Sequence, residues 1–317
     1  MQNIILVTKY TLLEQQYQEI RQIGQIVHWN QIENPAIASQ INGVFCSCCD
    51  DINDELLDRL PNVKVVSNFS VGCDNVDAKA VLKRGIQLGY TPAANADAVA
   101  DFTLALLLSS ARLVIPGMQY CKSDQILKEE WGTMSYDVSY RTVGIIGMGA
   151  IGRRVAKRCL GFDMKILYNS RRRKDTQTEA NLNATFCDLN TLLSQSDFVI
   201  LTAALTPETV NLISKPQLQL MKKTAILVNV GRGKLIDQDA LVDALENKCI
   251  AGAALDVSDP EPLPLDHKLL SLDNAIITPH MAWATTDAIN NQFNMALQNL
   301  KIGLMDQKIP YPLELEP

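Results

Sequence analysis

Arg232, Glu261 and His280 are of three residue types that could together reduce a carbonyl. The planar guanidinium of Arg232 matches two oxygens at once, so it could hold a carboxylate and polarise the carbonyl beside it. His280, one of 3 histidines in the chain, could pass a proton to that carbonyl oxygen as hydride arrives at carbon. Glu261, if close to His280, would favour the imidazolium form. A pair of this kind contributes about 10² to 10⁴ in rate. Taken one at a time the three say little: an arginine after a strand is usually a surface group, "DPEP" is usually a turn, and a lone histidine is usually structural.

Their positions link them. Arg232 follows "AILVNVG", Glu261 follows "AGAALDVSDP" and His280 follows "AIITP", each an apolar run that reads as a buried strand. In a parallel sheet the carboxyl ends of the strands share one edge, which makes three scattered residues neighbours. Short runs rich in β-branched residues do alternate with segments of helical period along the chain, the pattern of βαβ units and an α/β fold. The pattern occurs twice. "NIILVT", "QIVHW", "GVFCS" and "KVVSN" are strands of the first half; "TVGIIG", "MKILY", "DFVIL", "TAILVN", "IAGAAL" and "AIITP" are strands of the second. Between them "ADAVADFTLALLLSSARLV" reads as one long apolar helix, expected to be buried between domains or subunits. A last helix over roughly 284–305 is expected to cross back to the first domain. The predicted domains are therefore 1–95 with 284–317, and 96–283.

The second half also carries "GMGAIG", Gly147 to Gly152, directly after a strand and opening a helix. Gly147 permits a tight turn, Gly149 lets backbone approach a pyrophosphate, and Gly152 allows the helix to pack on the strand, with Ala150 and Ile151 at the helix start. This context predicts a dinucleotide site. The end of the next strand, "ILYNSRRRKD", selects which one: Asn169 stands where an acid would bind the ribose 2′-hydroxyl of NAD, and Ser170, Arg171, Arg172 and Arg173 follow. Arginines with no carboxylate beside them favour a 2′-phosphate, hence NADP(H) over NAD(H).

Composition limits the partners. The 317 residues are 47% hydrophobic with a net charge of −6 and a pI near 5.2, which argues against general affinity for nucleic acid or an anionic membrane and favours a small-molecule partner. "MQNIILVTKY" lacks a signal-peptide pattern, and a cytoplasmic protein is expected. The 8 cysteines are scattered and expected to be reduced thiols; their one cluster, "CSCCD", lacks zinc-ligand spacing, so no metal is predicted.

Over nearly its whole length the chain resembles the D-isomer-specific 2-hydroxyacid dehydrogenases. The matching stretches are "NFSVGCDNVD", "TPAANADAVADFTLALLLSSAR", "TVGIIGMGAIG", "LTPETVNLI", "ILVNVGRGKLIDQDAL", "IAGAALDVSDPEPLP" and "ITPHMAWAT". The resemblance implies two Rossmann-like, doubly wound parallel-sheet domains with an active-site cleft between them, and a homodimer formed mainly through the cofactor domains. It implies that Arg232 binds the substrate, that His280 is the acid-base and that Glu261 is its partner. Val71 and Gly72 match the carboxylate-binding turn, and Cys48 and Cys49 fall in the substrate loop. Val99, Ala203, Ala204, Val230, Gly231, Asp256 and Ala282 match cofactor-lining positions, with Asp256 a partner of the nicotinamide carboxamide.

The chain departs from the family pattern at two places. Ala204 replaces a proline that many relatives carry, which would loosen the adenine end of the site. Trp283 resembles a subset of glycerate dehydrogenases, or hydroxypyruvate reductases, and either narrows the substrate pocket or packs at the hinge. The expected activity is reduction of a small 2-keto acid, hydroxypyruvate or glyoxylate, to the D-2-hydroxyacid by NAD(P)H. The alternatives are a nucleotide-sensing corepressor on the same fold, a dehydrogenase for another D-2-hydroxyacid such as D-lactate, or a formate dehydrogenase, a branch that carries glutamine where Glu261 stands.

Overall fold

The computed structural model describes residues 2–128 and 130–314. The chain divides into two compact units, one formed by residues up to Asn95 together with those from Thr285 onward, the other running from Ala96 to Ala284.

The first unit is built on a parallel sheet of β1 (Ile4–Val7), β2 (Gln25–Val27), β3 (Gly43–Cys46), β4 (Val65–Asn68) and β5 (Gln87–Gly89), in the order β2-β1-β3-β4-β5. Parallel strands need covering on both faces, which is why β3 and β4 are buried at every residue. One face packs Leu6, Val44 and Val66 against Leu56 and Leu57. The other packs Ile5, Phe45 and Val65 against Phe293, Ala296 and Leu300 of the helix Thr286–Leu304, so the last helix does return to the first sheet. Ser67 Oγ donates to the Ala296 carbonyl at 2.7 Å, tying strand to helix across that face.

The second unit holds β6 (Thr142–Ile146), β7 (Lys165–Asn169), β8 (Ala184–Phe186), β9 (Phe198–Leu201), β10 (Ile226–Asn229), β11 (Gly252–Leu255) and β12 (Ala275–Ile277), all parallel, in the order β12-β11-β10-β9-β6-β7-β8. The chain order reverses between β6 and β9, the place where doubly wound sheets open a crevice for a nucleotide.

The structure differs from the sequence expectation in three respects. The edge strands β5 and β8 were not among the expected strands; at 3 residues each they carry too little periodicity to read. The expected single helix is two, Ala96–Ala111 and Val114–Cys121, bent by 60° about Leu113 at φ +53°. Pro116 explains the break, since in a continuous helix its ring would clash with the carbonyl four residues back. Nor does the first of these helices need a neighbouring domain or subunit for its apolar side. Val99, Ala100, Leu104 and Leu107 join the core of the second unit with Ile145, Val228 and Ala254. Its exposed side presents Asp97 and Asp101 to Arg154 and Arg158. Among the described residues no single helix is long and apolar enough to cross a membrane.

Candidate active site

β10, β11 and β12 are adjacent in the sheet and end at the same edge, so the turns carrying Arg232, Glu261 and His280 lie side by side. His280 Nδ1 lies 2.5 Å from Glu261 Oε1. Nδ1 donates to the carboxylate in this pair, which leaves Nε2 as the nitrogen to face a substrate. Partial burial pushes the Glu261 carboxyl up, but the His280 hydrogen bond and charge, the Ser258 amide and the Arg232 charge outweigh it and hold the group below its ordinary value. Glu261 therefore stays an anion at neutral pH.

Other residues hold these turns in place. His280 has φ +53°, a left-handed backbone that is uncommon for a non-glycine residue. Asp256, 1% exposed at the end of β11, does the holding: Oδ1 accepts from Thr278 Oγ1 at 2.6 Å and from the Met281 amide at 2.9 Å, and Oδ2 from the Ala282 amide at 2.8 Å. The resemblance gives Asp256 to the nicotinamide carboxamide, yet three of its acceptor positions serve the histidine turn. Asn229, fully buried at the end of β10, plays the same part for Arg232, donating to the Arg232 carbonyl at 2.9 Å and accepting from the Gly231 amide at 3.0 Å. Arg232 Nη1 donates to the Gly231 carbonyl at 2.8 Å. A Cβ on Gly233 would lie 2.0 Å from the Ser258 carbonyl oxygen, so a glycine is needed for the β10 and β11 turns to approach this closely.

The glycine turn fits a dinucleotide. Gly147 has φ +101° and a Cβ there would strike Ala203 at 2.6 Å; a Cβ on Gly152 would strike the Gly147 carbonyl at 2.0 Å; one on Gly149 would meet nothing within 4 Å. The two outer glycines close the strand-turn-helix unit and the middle one faces open space. Gly149 caps the helix Ala150–Cys159 with no side-chain bond, so the amides of Ala150, Ile151 and Gly152 are available to phosphate oxygens. Val99, Val230 and Ala282 are buried around this edge, Gly231 closes against Leu235, and Ala204 is exposed, with its carbonyl accepting from Thr209 Oγ1 at 2.9 Å.

Asn169 ends β7, with Nδ2 donating to the Cys187 carbonyl at 2.9 Å. Ser170 Oγ donates to the Arg172 carbonyl at 2.7 Å, and Arg171 and Arg172 are exposed. Arg173 is engaged within the protein, its Nε and Nη2 donating to Glu179 at 2.9 and 2.8 Å. Trp283 is partly buried against the core of the second unit.

In the first unit, Cys48 and Cys49 follow β3, and Val71 and Gly72 follow β4, again at carboxyl ends of parallel strands. Buried Asp50 shapes the cysteine loop, accepting from the Ser47 amide at 2.8 Å and the Lys9 amide at 2.9 Å. Asn68 Nδ2 donates to the Gly72 carbonyl at 2.9 Å and so holds the second turn. The crowding of its sulfur, with Cys49 beside it, pushes Cys48 up to about 11 although the residue is accessible, so it is a neutral thiol at physiological pH. Among the described residues no cluster of histidine, cysteine and acidic side chains has a metal-holding arrangement.

Asn229, Gly233, Thr278, Asp50 and Asn68 were absent from the sequence reading. A polar residue ending an apolar strand, as Asn229 and Asn68 do, is the one signal that could have found two of them.

A sequence profile described as the NAD-binding domain of D-isomer specific 2-hydroxyacid dehydrogenases matches residues 104–282. The glyoxylate reductase of Pyrococcus horikoshii is 42% identical over 267 residues, covering 82% of this chain and 79% of that protein. That of Korarchaeum cryptofilum is 44% identical over 255 residues, covering 79% and 76%. An NADPH-dependent glyoxylate/hydroxypyruvate reductase of Sinorhizobium meliloti, solved in complex with NADP and malonate, superposes with a TM-score of 0.88 at 28% identity over 99% of this chain and 97% of its own. The chain belongs to the D-isomer-specific 2-hydroxyacid dehydrogenase family.

Proposed function

We propose that this protein reduces glyoxylate or hydroxypyruvate to the corresponding D-2-hydroxyacid with NADPH. The observation that carries the reading is the 2.5 Å His280–Glu261 pair on turns adjacent to that of Arg232, at the sheet edge where the glycine turn also opens. NADPH, when bound, supplies the hydride. Arg232 binds the substrate carboxylate and draws electron density toward the carbonyl oxygen. His280, paired through Nδ1 with anionic Glu261, gives its Nε2 proton to that oxygen as the carbon is reduced, and recovers a proton from solvent afterwards.

The preference for NADPH rests on Asn169 in place of an acid and on exposed Arg171 and Arg172 after it. The preference for a small substrate is supported by the relatives' glyoxylate and glyoxylate/hydroxypyruvate activities. Val114, Met118, Leu127 and Met134 are exposed apolar side chains on the segment leading into β6, and suit a homodimer.

A rate matrix of NADPH and NADH against glyoxylate, hydroxypyruvate, pyruvate and larger 2-keto acids tests this. NADPH with glyoxylate or hydroxypyruvate should be the fastest combination. Faster turnover with NADH removes the arginine reading; fastest turnover on a bulky aromatic keto acid removes the small substrate; and no turnover with any 2-keto acid leaves the corepressor alternative.

A further inference from the structure

The turn after β7 is tied down by residues with no place in the mechanism. Tyr168 is fully buried, its ring edge-on to Phe186 at 5.4 Å, and only its hydroxyl reaches the turn. That hydroxyl donates to Glu179 Oε1 at 2.6 Å and accepts from the Lys174 amide at 2.9 Å. Glu179, on the helix Thr176–Leu182, also takes the Arg173 fork through both carboxylate oxygens. Its side chain is 12% exposed, against 64% for Arg173. Asp175 then caps the helix by accepting from the Thr178 amide at 2.8 Å. Between Asn169 at one end and this knot at the other, only the side chains of Arg171 and Arg172 stand out into solvent.

We propose that Tyr168 and Glu179 are positioning residues for coenzyme choice: they fix the turn so that Arg171 and Arg172 meet the 2′-phosphate of NADPH already placed. The inference rests on the reading that these two arginines bind that phosphate. A flexible turn would have to be ordered at each binding event, and the cost would fall on the phosphorylated coenzyme alone, since only it uses the arginines. The knot also commits Arg173, whose fork Glu179 holds within the protein.

Binding of 2′,5′-ADP and of 5′-AMP to the full chain, measured by calorimetry, isolates the 2′-phosphate without turnover. The wild type should prefer 2′,5′-ADP. In Tyr168→Phe and Glu179→Gln that preference should fall about tenfold while 5′-AMP binding stays within about twofold, the cost of an unordered turn being paid by one ligand only. The KM for NADPH should rise in parallel with kcat unchanged. Tyr168→Phe keeps the buried ring, so it reads the hydroxyl even if the glutamate variant folds poorly. A wild-type preference retained in both variants, or an equal loss for both ligands, overturns the positioning role. A wild type that binds the two ligands equally overturns the NADPH reading itself, and the positioning role with it.

Discussion

The turns after β10, β11 and β12 and the turn after β7 end strands of the same sheet, yet they treat their charged side chains in opposite ways. In the first group the side chains and their turns are held: His280 by Glu261 directly and by Asp256 through its backbone, Arg232 by Asn229 and Gly231. In the turn after β7 the backbone and Arg173 are held, while Arg171 and Arg172 are left exposed. A group that transfers a proton must be fixed to a fraction of an ångström, because the rate depends steeply on its distance from the reacting atom. A group that attracts a phosphate needs only a fixed root, because charge acts over several ångströms.

The sharpest way to break this contrast is His280→Ala. It should lower kcat by about 10² to 10⁴ with dinucleotide affinity nearly unchanged, and a variant of near-normal rate would remove the histidine from the chemistry. Arg171→Asp should act the other way round, weakening NADPH by about tenfold or more and NADH little, with kcat kept; equal losses for the two coenzymes would mean that the turn does not read the phosphate. The smallest effect concerns stability in acid. The Arg173 fork and the Tyr168 hydroxyl hold Glu179 at about 2, against 4.5 for the free group. A depressed carboxyl stabilises the fold fully above its unfolded value and loses that contribution as pH falls through the folded one. The stability difference between wild type and Glu179→Gln, from denaturant titrations, should therefore be constant near pH 7 and shrink between about 4.5 and 2. A difference that persists unchanged at pH 2 would mean that the ion pair is not its source.

The parts legible in the sequence were those with a local signature. Gly147 to Gly152 announce themselves by spacing between a strand and a helix, and Arg232, Glu261 and His280 could be grouped because parallel strands finish at a common edge. What was hidden was pairwise. That Arg173 belongs with Glu179 while its two neighbours do not depends on how one helix packs, and that Gly233 must lack a side chain depends on a turn 25 residues further on at Ser258. The bend at Leu113 was readable in principle from Pro116, but the apolar run over it looked uninterrupted. β5 and β8 gain their strand character from the neighbour they pair with and show little of it themselves.

The left-handed backbone at His280 bears on how its chemistry is best removed. Alanine in that conformation carries a steric cost of about 1 kcal/mol that asparagine largely avoids, since asparagine's short amide tolerates positive φ. An asparagine there would remove the imidazole and leave the loop's shape alone. The pair of replacements, compared side by side, would separate what the imidazole does from what the bend around it does.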